Sequence, residues 1–366
     1  MAVVAGIVVG CFLTWNVTNV GAVADPLAET YDVSLAAIGL LTTALFVTHL
    51  AAQLPAGMWS DRYGARAVAL AACVAAAAGN LVLLQSDDYA LGVAGRLIVG
   101  LGSGAGFVAG LDLVRAGGGG TLLQGVYGGG TMAGGGLALM ILPALTEATS
   151  WRAPYWTALA LALAATLPAY AAGGLMPVGR AGRGVLRDAR LLPAGVLQAA
   201  TFGLAVIAGN WVVTLLEREG ASATESGVLG GLVLLAGIVT RPLGGALARP
   251  AGRGRRELVG GSLVAASAGA FLLAAGGPLW VSGLGALALG LAAGLPFAAI
   301  FDAAQRTRPD APGAAVALVN GCAVLTILVG TPLAGLAFEL PSDGAIAFAA
   351  IGALTAAALP FTHRLP

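Results

Sequence analysis

The sequence predicts an all-α membrane protein in which twelve transmembrane helices form two six-helix halves. Of its 366 residues, 58% are apolar and only 10% are charged, and the mean hydropathy is +0.91. A soluble domain normally carries about 25% charge, and its apolar runs seldom reach the ~20 residues that cross a bilayer. All 18 basic residues are arginines, and most of them lie in alternate loops between apolar runs. Together these observations exclude a soluble protein.

Twelve apolar runs lie between clusters of charged and turn-forming residues, and each is long enough to form a membrane-spanning helix. The predicted spans are residues 2–24, 35–58, 66–86, 89–111, 121–145, 153–175, 192–216, 226–248, 257–276, 279–302, 313–338 and 345–362.

The first run ends in Ala22–Ala24 before Asp25, a pattern that also resembles a signal-peptidase cleavage site. No basic residue precedes this run, it is long for a leader peptide, and it contains Asn16 and Asn19. We therefore expect the first helix to be retained.

The arginines also predict the orientation, because Lys and Arg favour cytoplasmic loops. With the amino terminus in the cytoplasm, the arginines of the even-numbered loops and of the carboxyl tail fall inside, and only Arg152 and Arg218 fall outside. The carboxylates on the outer side are then Asp25, Glu29, Asp32, Asp87, Asp88, Glu147, Glu217, Glu219, Glu225 and Asp343. We predict a multi-pass protein of the cell inner (plasma) membrane with both termini in the cytoplasm.

Two sequence patterns recur along the chain. Gly57 and Gly64 match Gly245 and Gly252 at an offset of 188 positions. A second set at an offset of 190 pairs Gly100, Gly104, Phe107 and Asp112 with Gly290, Gly294, Phe297 and Asp302. The repeat predicts an N-terminal half over 1–175, a cytoplasmic linker over 176–191 and a C-terminal half over 192–366. Parallel repeats of this kind place a substrate site near mid-membrane between the halves.

The segment Gly57–Arg66, Gly-Met-Trp-Ser-Asp-Arg-Tyr-Gly-Ala-Arg, resembles the hallmark loop between helices 2 and 3 of the major facilitator superfamily. Arg96 with Gly100, Gly102 and Gly104 is similar to the helix-4 motif of that superfamily. The resemblance covers essentially the whole chain. It implies a secondary transporter that rocks two six-helix halves about a central cavity.

In this superfamily the hallmark loop is a conformational latch. The resemblance implies that Asp61, Arg62 and Arg66 make charge-assisted contacts that hold the cytoplasmic side closed in one state. The alternative is a tight turn with ordinary positive-inside arginines. The second copy has Arg249 in place of Asp61, so its latch is expected to be weaker or absent.

Arg96 lies about two turns from the outer face in span 4. Its motif implies a role in coupling or gating through contacts with the first helix. A purely structural bond to carbonyls of span 1, or to Asn16 or Asn19, is the alternative.

Span 5 contains the glycine triplets Gly128–Gly130 and Gly134–Gly136. It is similar to the glycine-rich fifth helix of anion porters of the superfamily, including nitrate/nitrite porters. Close packing through small residues accounts for most of the 57 glycines of the chain.

Few polar or aromatic side chains lie deep in the predicted spans, and those few could line one cavity. They are Trp15, Asn16 and Asn19 in span 1, His49 and Gln53 in span 2, Tyr127 in span 5, Asn210 and Trp211 in span 7, and Asn320 and Thr326 in span 11. Ordinary hydrogen bonding between helices is the alternative for the asparagines, and lipid-facing packing is the alternative for the tryptophans.

Arg241 is the strongest candidate for a substrate-binding residue, because it lies about two turns inside the cytoplasmic end of span 8. A cation inside a spanning helix costs about 2.5 to 3.5 kcal/mol on insertion scales, which suggests a function. Its planar guanidinium suits nitrate, nitrite, carboxylate and similar groups. Its counterpart in span 2 is Gln53. Nitrate/nitrite porters resemble this chain in having an arginine at the place of Arg241, but they have arginine at this place in both halves. In the alternative, Arg241 snorkels to the inner surface.

All 17 carboxylates fall in loops or at helix ends, so we expect no buried Asp or Glu to act as a proton carrier. His49 is the mid-membrane group that would titrate nearest to neutral pH, either as a proton-coupling residue or as a neutral ring bonded to a neighbouring helix. This pattern favours anion exchange or facilitated passage over proton symport.

The sequence does not point to an enzyme, because no nucleophile and base or pair of carboxylates has catalytic spacing. The three cysteines, Cys11, Cys73 and Cys322, lie in apolar spans and form no metal-binding pattern, so no metal or cofactor is expected. The arginines form no continuous basic face for nucleic acid. We expect a monomer in the lipid bilayer.

The sequence thus predicts a transporter of a small anion, nitrate/nitrite-like or organic, that works by alternating access. Arg241 would neutralise the substrate, Gln53 and the asparagines would complete its hydrogen bonds, and Trp15, Trp211 and Tyr127 would shape the cavity. An efflux carrier for a neutral or amphipathic compound stays open, as does a non-transporting membrane sensor on the same fold. The direction of transport and the coupling ion or counter-anion also stay open.

Overall fold

The computed structural model is helical throughout the part of the chain that it describes, and no β-strand occurs there. The described residues are 1–85, 87–173, 184–221, 225–226, 229–230, 233, 235–248, 253–342 and 344–365. Within these ranges nine helices are long and apolar enough to cross a membrane, and the apolar helix Ala2–Thr18 is shorter. The predicted all-α membrane fold is confirmed.

The chain separates into two compact units. The first comprises Met1–Leu186 and Arg308–Leu318, and the second comprises Arg187–Thr307 and Val319–Pro366. The domain boundaries drawn from the sequence stay a prediction, because half of the predicted linker lies outside the described residues.

The helices of the first unit are long and joined by short turns. They are α1 (Ala2–Thr18), α2 (Ala24–Tyr31), α3 (Leu35–Tyr63), α4 (Ala65–Gln85), α5 (Tyr89–Ala116), α6 (Thr121–Ala148) and α7 (Ala153–Ala171). The first span is interrupted, because α1 ends at Thr18 and a 3-10 turn, Gly21–Val23, follows it.

Local sequence signals fix several of these ends. The Ser34 hydroxyl accepts a hydrogen bond from the Ala37 N–H at 3.3 Å, and the Asp88 carboxylate accepts one from the Leu91 N–H at 2.9 Å. Both side chains satisfy backbone donors that a helix start leaves open. Gly64 ends α3 with φ +90, a conformation that favours glycine.

Small side chains let the helices of the first unit approach closely. A Cβ at Gly79 would meet the Val99 backbone of α5, and one at Gly95 would meet Leu83 of α4. A core of buried alanines, together with Cys73, lies along α4. Packing through small residues replaces the hydrophobic driving force that lipid cannot supply.

The second unit has shorter helices, and two of its spans are broken. Its helices are α8 (Leu192–Gln198), α9 (Leu204–Arg218), α10 (Gly237–Leu247), α11 (Arg253–Ala275), α12 (Leu279–Gly294), α13 (Phe297–Thr307), α14 (Pro312–Leu336), whose start belongs to the first unit, and α15 (Ala345–Ala357). A π-helical segment, Ala199–Gly203, joins α8 to α9. The predicted span 226–248 is described only in part.

Candidate functional site

Arg241 is buried in the second unit, with a 3% exposed side chain. It lies six residues before the end of α10 at Leu247, a distance of about 9 Å along the helix. Its guanidinium carbon lies 4.9 Å from the ring centroid of Phe202 and 4.4 Å from that of Phe297. These are cation–π distances, and such contacts are stronger where water is excluded. The side chain therefore does not snorkel to the surface in this conformation.

Two interruptions of helical geometry bring these rings to Arg241. Phe202 belongs to the π-helical segment, in which the Leu204 N–H donates to the carbonyl of Ala199, five residues earlier. Phe297 is the first residue of α13, which begins after Pro296. Pro296 has no N–H to donate, so the ladder of α12 cannot continue through it.

Glycines bring α10 close to the same break. A Cβ at Gly244 would collide with the carbonyl of Leu295, and one at Gly294 would collide with the Thr240 hydroxyl. The close approach at these two glycines sets α10 against the junction of α12 and α13. Neither aromatic residue was a candidate from the sequence, because both resemble ordinary apolar residues of a span.

Arg96 is fully buried in the first unit and is held by oxygen acceptors. Its Nη1 donates to the Asn16 carbonyl at 2.9 Å and to Asn19 Oδ1 at 3.1 Å, and its Nε donates to the Leu41 carbonyl at 3.2 Å. The predicted contacts with the first helix and its asparagines are therefore present. Arg96 joins α1 and α3 to α5, and a role in coupling or gating stays a prediction.

The two asparagines of the first span make hydrogen bonds to other helices. Asn16 Oδ1 accepts from Asn80 Nδ2 at 2.9 Å, and Asn19 Nδ2 donates to the Pro154 carbonyl at 2.9 Å. Sequence analysis missed Asn80, although it is a lone amide within an apolar run. Both asparagines are completely buried, so the structure shows the interhelix bonding that was the alternative to cavity lining.

His49 is buried and lies against Ser103, with Nδ1 2.9 Å from the serine Oγ. Its ring is also tilted against Phe46, with centroids 5.9 Å apart. Gln53, one turn further along α3, is buried as well. A substrate contact of either residue, and proton coupling through His49, stay predictions.

Tyr127 is completely buried in the core of the first unit instead of lining an open cavity. Its hydroxyl donates to the Phe107 carbonyl at 2.5 Å. A Cβ at Gly10 or at Gly110 would collide with the ring, so these two glycines make the space that the ring fills. A role of Tyr127 in shaping a cavity stays a prediction.

The two tryptophans at corresponding places make similar bonds within their own units. Trp15 Nε1 donates to the Thr157 hydroxyl at 3.2 Å, and Trp211 Nε1 donates to the Thr331 carbonyl at 2.9 Å. Asn210, which is exposed, donates to the Thr331 hydroxyl at 3.5 Å. Each indole N–H thus links two helices of the same unit. A substrate contact of Trp15, Trp211 or Asn210 stays a prediction.

The remaining residues from span 11 lie in the second unit. Asn320 is buried, and the Thr326 hydroxyl donates to the Cys322 carbonyl at 2.8 Å. The Thr326 hydroxyl is therefore engaged within its own helix.

Asp61 of the hallmark loop is completely buried and accepts two backbone hydrogen bonds. Its Oδ1 accepts from the Gly313 N–H at 2.8 Å, and its Oδ2 accepts from the Ala314 N–H at 3.0 Å. These donors belong to the first turn of α14, where a helix leaves N–H groups open and carries partial positive charge. The charge-assisted contact implied for Asp61 is therefore to a helix start.

The two arginines of the loop contact tyrosine rings. The Arg62 guanidinium lies 5.1 Å from the ring centroid of Tyr63, and that of Arg66 lies 4.8 Å from the ring centroid of Tyr170. These ring contacts are not the charge-assisted contacts that the resemblance implies, and the role of Arg62 and Arg66 in a latch stays a prediction. Arg249 of the second copy lies outside the described residues.

Asp112 and Asp61 are both buried, at 4% and 0% exposed, and the expectation that no buried carboxylate carries protons stays a prediction. Asp112 accepts from Arg115 Nε at 2.7 Å and from the Ser60 hydroxyl. In the second unit its counterpart Asp302 pairs with the completely buried Arg255. The buried carboxylates lie near helix ends, where arginine or backbone donors can compensate their charge.

The structure thus places the predicted site residues in two separate sets. The first unit holds Trp15, Asn16, Asn19, His49, Gln53, Tyr127, Asp61, Arg62, Arg66 and Arg96, and the second holds Asn210, Trp211, Arg241 and Asn320.

A family model described as Major Facilitator Superfamily matches residues 4–331, which is most of the chain. The chain belongs to the major facilitator superfamily. It is therefore a multi-pass membrane protein with the fold of the superfamily's transporters. No curated protein was found to match the sequence.

Three solved structures show how closely the fold follows that of superfamily transporters, each with a TM-score of 0.77. The human organic anion transporter MFSD10 (TETRAN) is 17% identical, with 99% of both chains covered. The E. coli fucose:proton symporter FucP is 14% identical, covering 98% of this chain and 97% of its own. The proton:xylose symporter XylE, bound to 6-bromo-6-deoxy-D-glucose, is 12% identical, covering 100% of this chain and 95% of its own. At these identities the likeness shows the shared fold.

Proposed function

We propose that this superfamily member transports a small anion by alternating access, and that Arg241 is the group that binds the anion. The observation that carries the proposal is a permanent cation, 3% exposed, about 9 Å along α10 from its end. Arginine stays protonated in proteins, so the positive charge cannot be relieved by deprotonation.

The immediate surroundings of Arg241 support this role. Phe202 and Phe297 stabilise the cation through their ring faces, and a phenyl ring has no lone pair to accept a conventional hydrogen bond. The rings therefore hold the guanidinium in place, and its planar fork of N–H groups suits an anion such as a carboxylate.

The solved structures with this fold include transporters of different substrate classes. The human protein is an organic anion transporter, whereas the other two are sugar symporters with the same TM-score. An efflux carrier for a neutral or amphipathic compound is the competing function, since aromatic rings around a cation also make an apolar wall.

The buried carboxylates favour anion exchange or facilitated passage over proton coupling. Asp61 and Asp112 lie near helix ends and are engaged by backbone donors or by Arg115 and Ser60. We propose a counter-anion as the partner of exchange, a cytoplasmic position for both termini and the monomer as the working unit.

The test is anion uptake into proteoliposomes by Arg241→Gln and Arg241→Lys. Hydrogen bonds to charged groups contribute about 1.5–3 kcal/mol, so Arg241→Gln should slow uptake by about 10-fold or more. Arg241→Lys should recover part of the rate because it keeps the charge but loses the planar fork.

Arg218→Gln is the matched control. Arg218 also lies over a phenylalanine ring, that of Phe338, at 5.3 Å from its centroid, but at the end of α9. Uptake should be unchanged in this variant. Wild-type anion uptake by Arg241→Gln would refute the proposal and favour the efflux carrier.

A further inference from the structure

Gln198 is a buried amide that sequence analysis did not single out. It is the last residue of α8, and its side chain is 1% exposed. Neither Oε1 nor Nε2 has a hydrogen-bond partner among the residues that the structure describes. Buried polar groups almost always have a partner, and each exception needs an explanation such as a bound ligand or water.

The position of Gln198 relates it to Arg241. Phe202, whose ring contacts the Arg241 guanidinium, follows Gln198 by four residues and therefore lies on about the same helix face. Gln198 is six residues from the start of α8 at Leu192, and Arg241 is six residues from the end of α10 at Leu247. Both therefore lie at about 9 Å along their helices from those ends.

The backbone next to Gln198 is also unusual. The π-helical segment Ala199–Gly203 begins directly after it. Single π-helical turns inside α-helices are rare and occur frequently at functional sites. The extra residue in this turn sets the direction of Phe202 relative to Gln198.

We infer that Gln198 is a second polar anchor of the site at Arg241, and that the cargo is a small organic anion that also carries a hydrogen-bond donor, such as a 2-hydroxy acid. The inference rests on the proposed function. A guanidinium has donors only, whereas an amide has two donors and an acceptor oxygen. A bare anion such as nitrate leaves the Oε1 acceptor without a partner, and a hydroxyl on the cargo satisfies it.

The experiment measures binding of matched pairs of acids to the purified protein in nanodiscs by titration calorimetry. The pairs are glycolate with acetate and 2-hydroxypropionate with propionate, and nitrate serves as the bare anion. The wild type should bind the hydroxy acid of at least one pair about 10-fold more tightly than its partner, the scale of one buried hydrogen bond. In Gln198→Met this preference should fall to about 1-fold.

The same variant gives a readout without ligand. Methionine has nearly the shape of glutamine without its amide, so Gln198→Met should melt at the same temperature as the wild type or higher. A lower melting temperature would show that the amide has partners in the folded protein, which overturns the inference. Gln198→Asn is the second variant. It keeps the amide but shortens the side chain by one methylene group, so it should reduce the preference for the hydroxy acid. Gln85→Met, at the exposed end of α4, is the control and should retain it.

The outcomes separate this inference from the proposed function. If the acids bind, depend on Arg241 and show no preference for the hydroxyl, the inference is overturned and the anion site stands. An unchanged preference in Gln198→Met also overturns it. If neither the acids nor nitrate bind the wild type, the proposed function is overturned together with the inference.

Discussion

Arg96 and Arg241 are both buried within apolar helices, one in each unit. Arg96 donates to the oxygens of Asn16, Asn19 and Leu41, which fix it as a link between helices. Arg241 contacts two phenyl rings, which hold its position through their faces. The same residue type is thus a structural link in one unit and the proposed anion-binding group in the other.

Tyr127 shows how a residue can be polar, deep and still part of the core. Its ring fills the space that Gly10 and Gly110 leave, so any side chain at position 10 should displace it. We expect Gly10→Ala to destabilise the protein by about 1–3 kcal/mol, the usual cost of overpacking. A fall in the melting temperature measures this.

Two further variants make that prediction specific. Adding Tyr127→Leu to Gly10→Ala should restore part of the melting temperature, because the ring is what the new methyl group meets. Gly39→Ala in α3 is the matched control, since nothing lies within 4 Å of a Cβ there and alanine is the better helix former. Equal loss of stability in both single variants would contradict this account of Gly10.

The sequence predicts some site residues better than others, for physical reasons. Arg96, Asn16 and Asn19 stand out because a polar group in an apolar run needs a partner. Phe202 and Phe297 do not, because their role depends on a π-helical turn and on the break at Pro296, which have no clear pattern in hydropathy. Gln198 does not stand out because an uncharged amide costs less to bury than a charged group does.

At the scale of elements, the contact between Asp61 and the start of α14 joins the end of α3 to the first turn of another helix. Its two oxygens accept from the Gly313 and Ala314 N–H groups. In Asp61→Asn one oxygen becomes an NH2 group that faces an N–H donor, and the charge is lost. We expect the amides of residues 313 and 314 to exchange with deuterium about 10-fold faster or more, because hydrogen bonds to charged groups contribute about 1.5–3 kcal/mol.

Asp310→Asn is the control for that exchange measurement. Asp310 lies just before α14 but accepts from Arg308, at 2.9 Å from Nε and 2.8 Å from Nη2. Its replacement should leave the amides of 313 and 314 protected. Unchanged protection in Asp61→Asn would show that the carboxylate does not stabilise the helix start.

At the scale of the whole molecule, the fold follows from hydropathy because lipid tolerates few alternatives. Backbone groups in a bilayer must bond within their own segment, so long apolar runs become helices. The internal repeat also anticipated matching carboxylates, Asp112 and Asp302, which both bind arginine. Each carboxylate has a local partner, since Arg115 is three residues from Asp112 and Arg306 is four residues from Asp302. Arg255, the second partner of Asp302, comes from another helix and could not be predicted.

The central claim for the molecule is that one buried guanidinium binds an anionic cargo. Thermal unfolding of the purified protein with a panel of small anions, at constant ionic strength, tests this most directly, because a ligand of the folded state raises the melting temperature by mass action. We predict that at least one small carboxylate raises the melting temperature of the wild type and leaves that of Arg241→Gln unchanged. A flat response of the wild type across the panel, or an equal rise in both proteins, would contradict the claim.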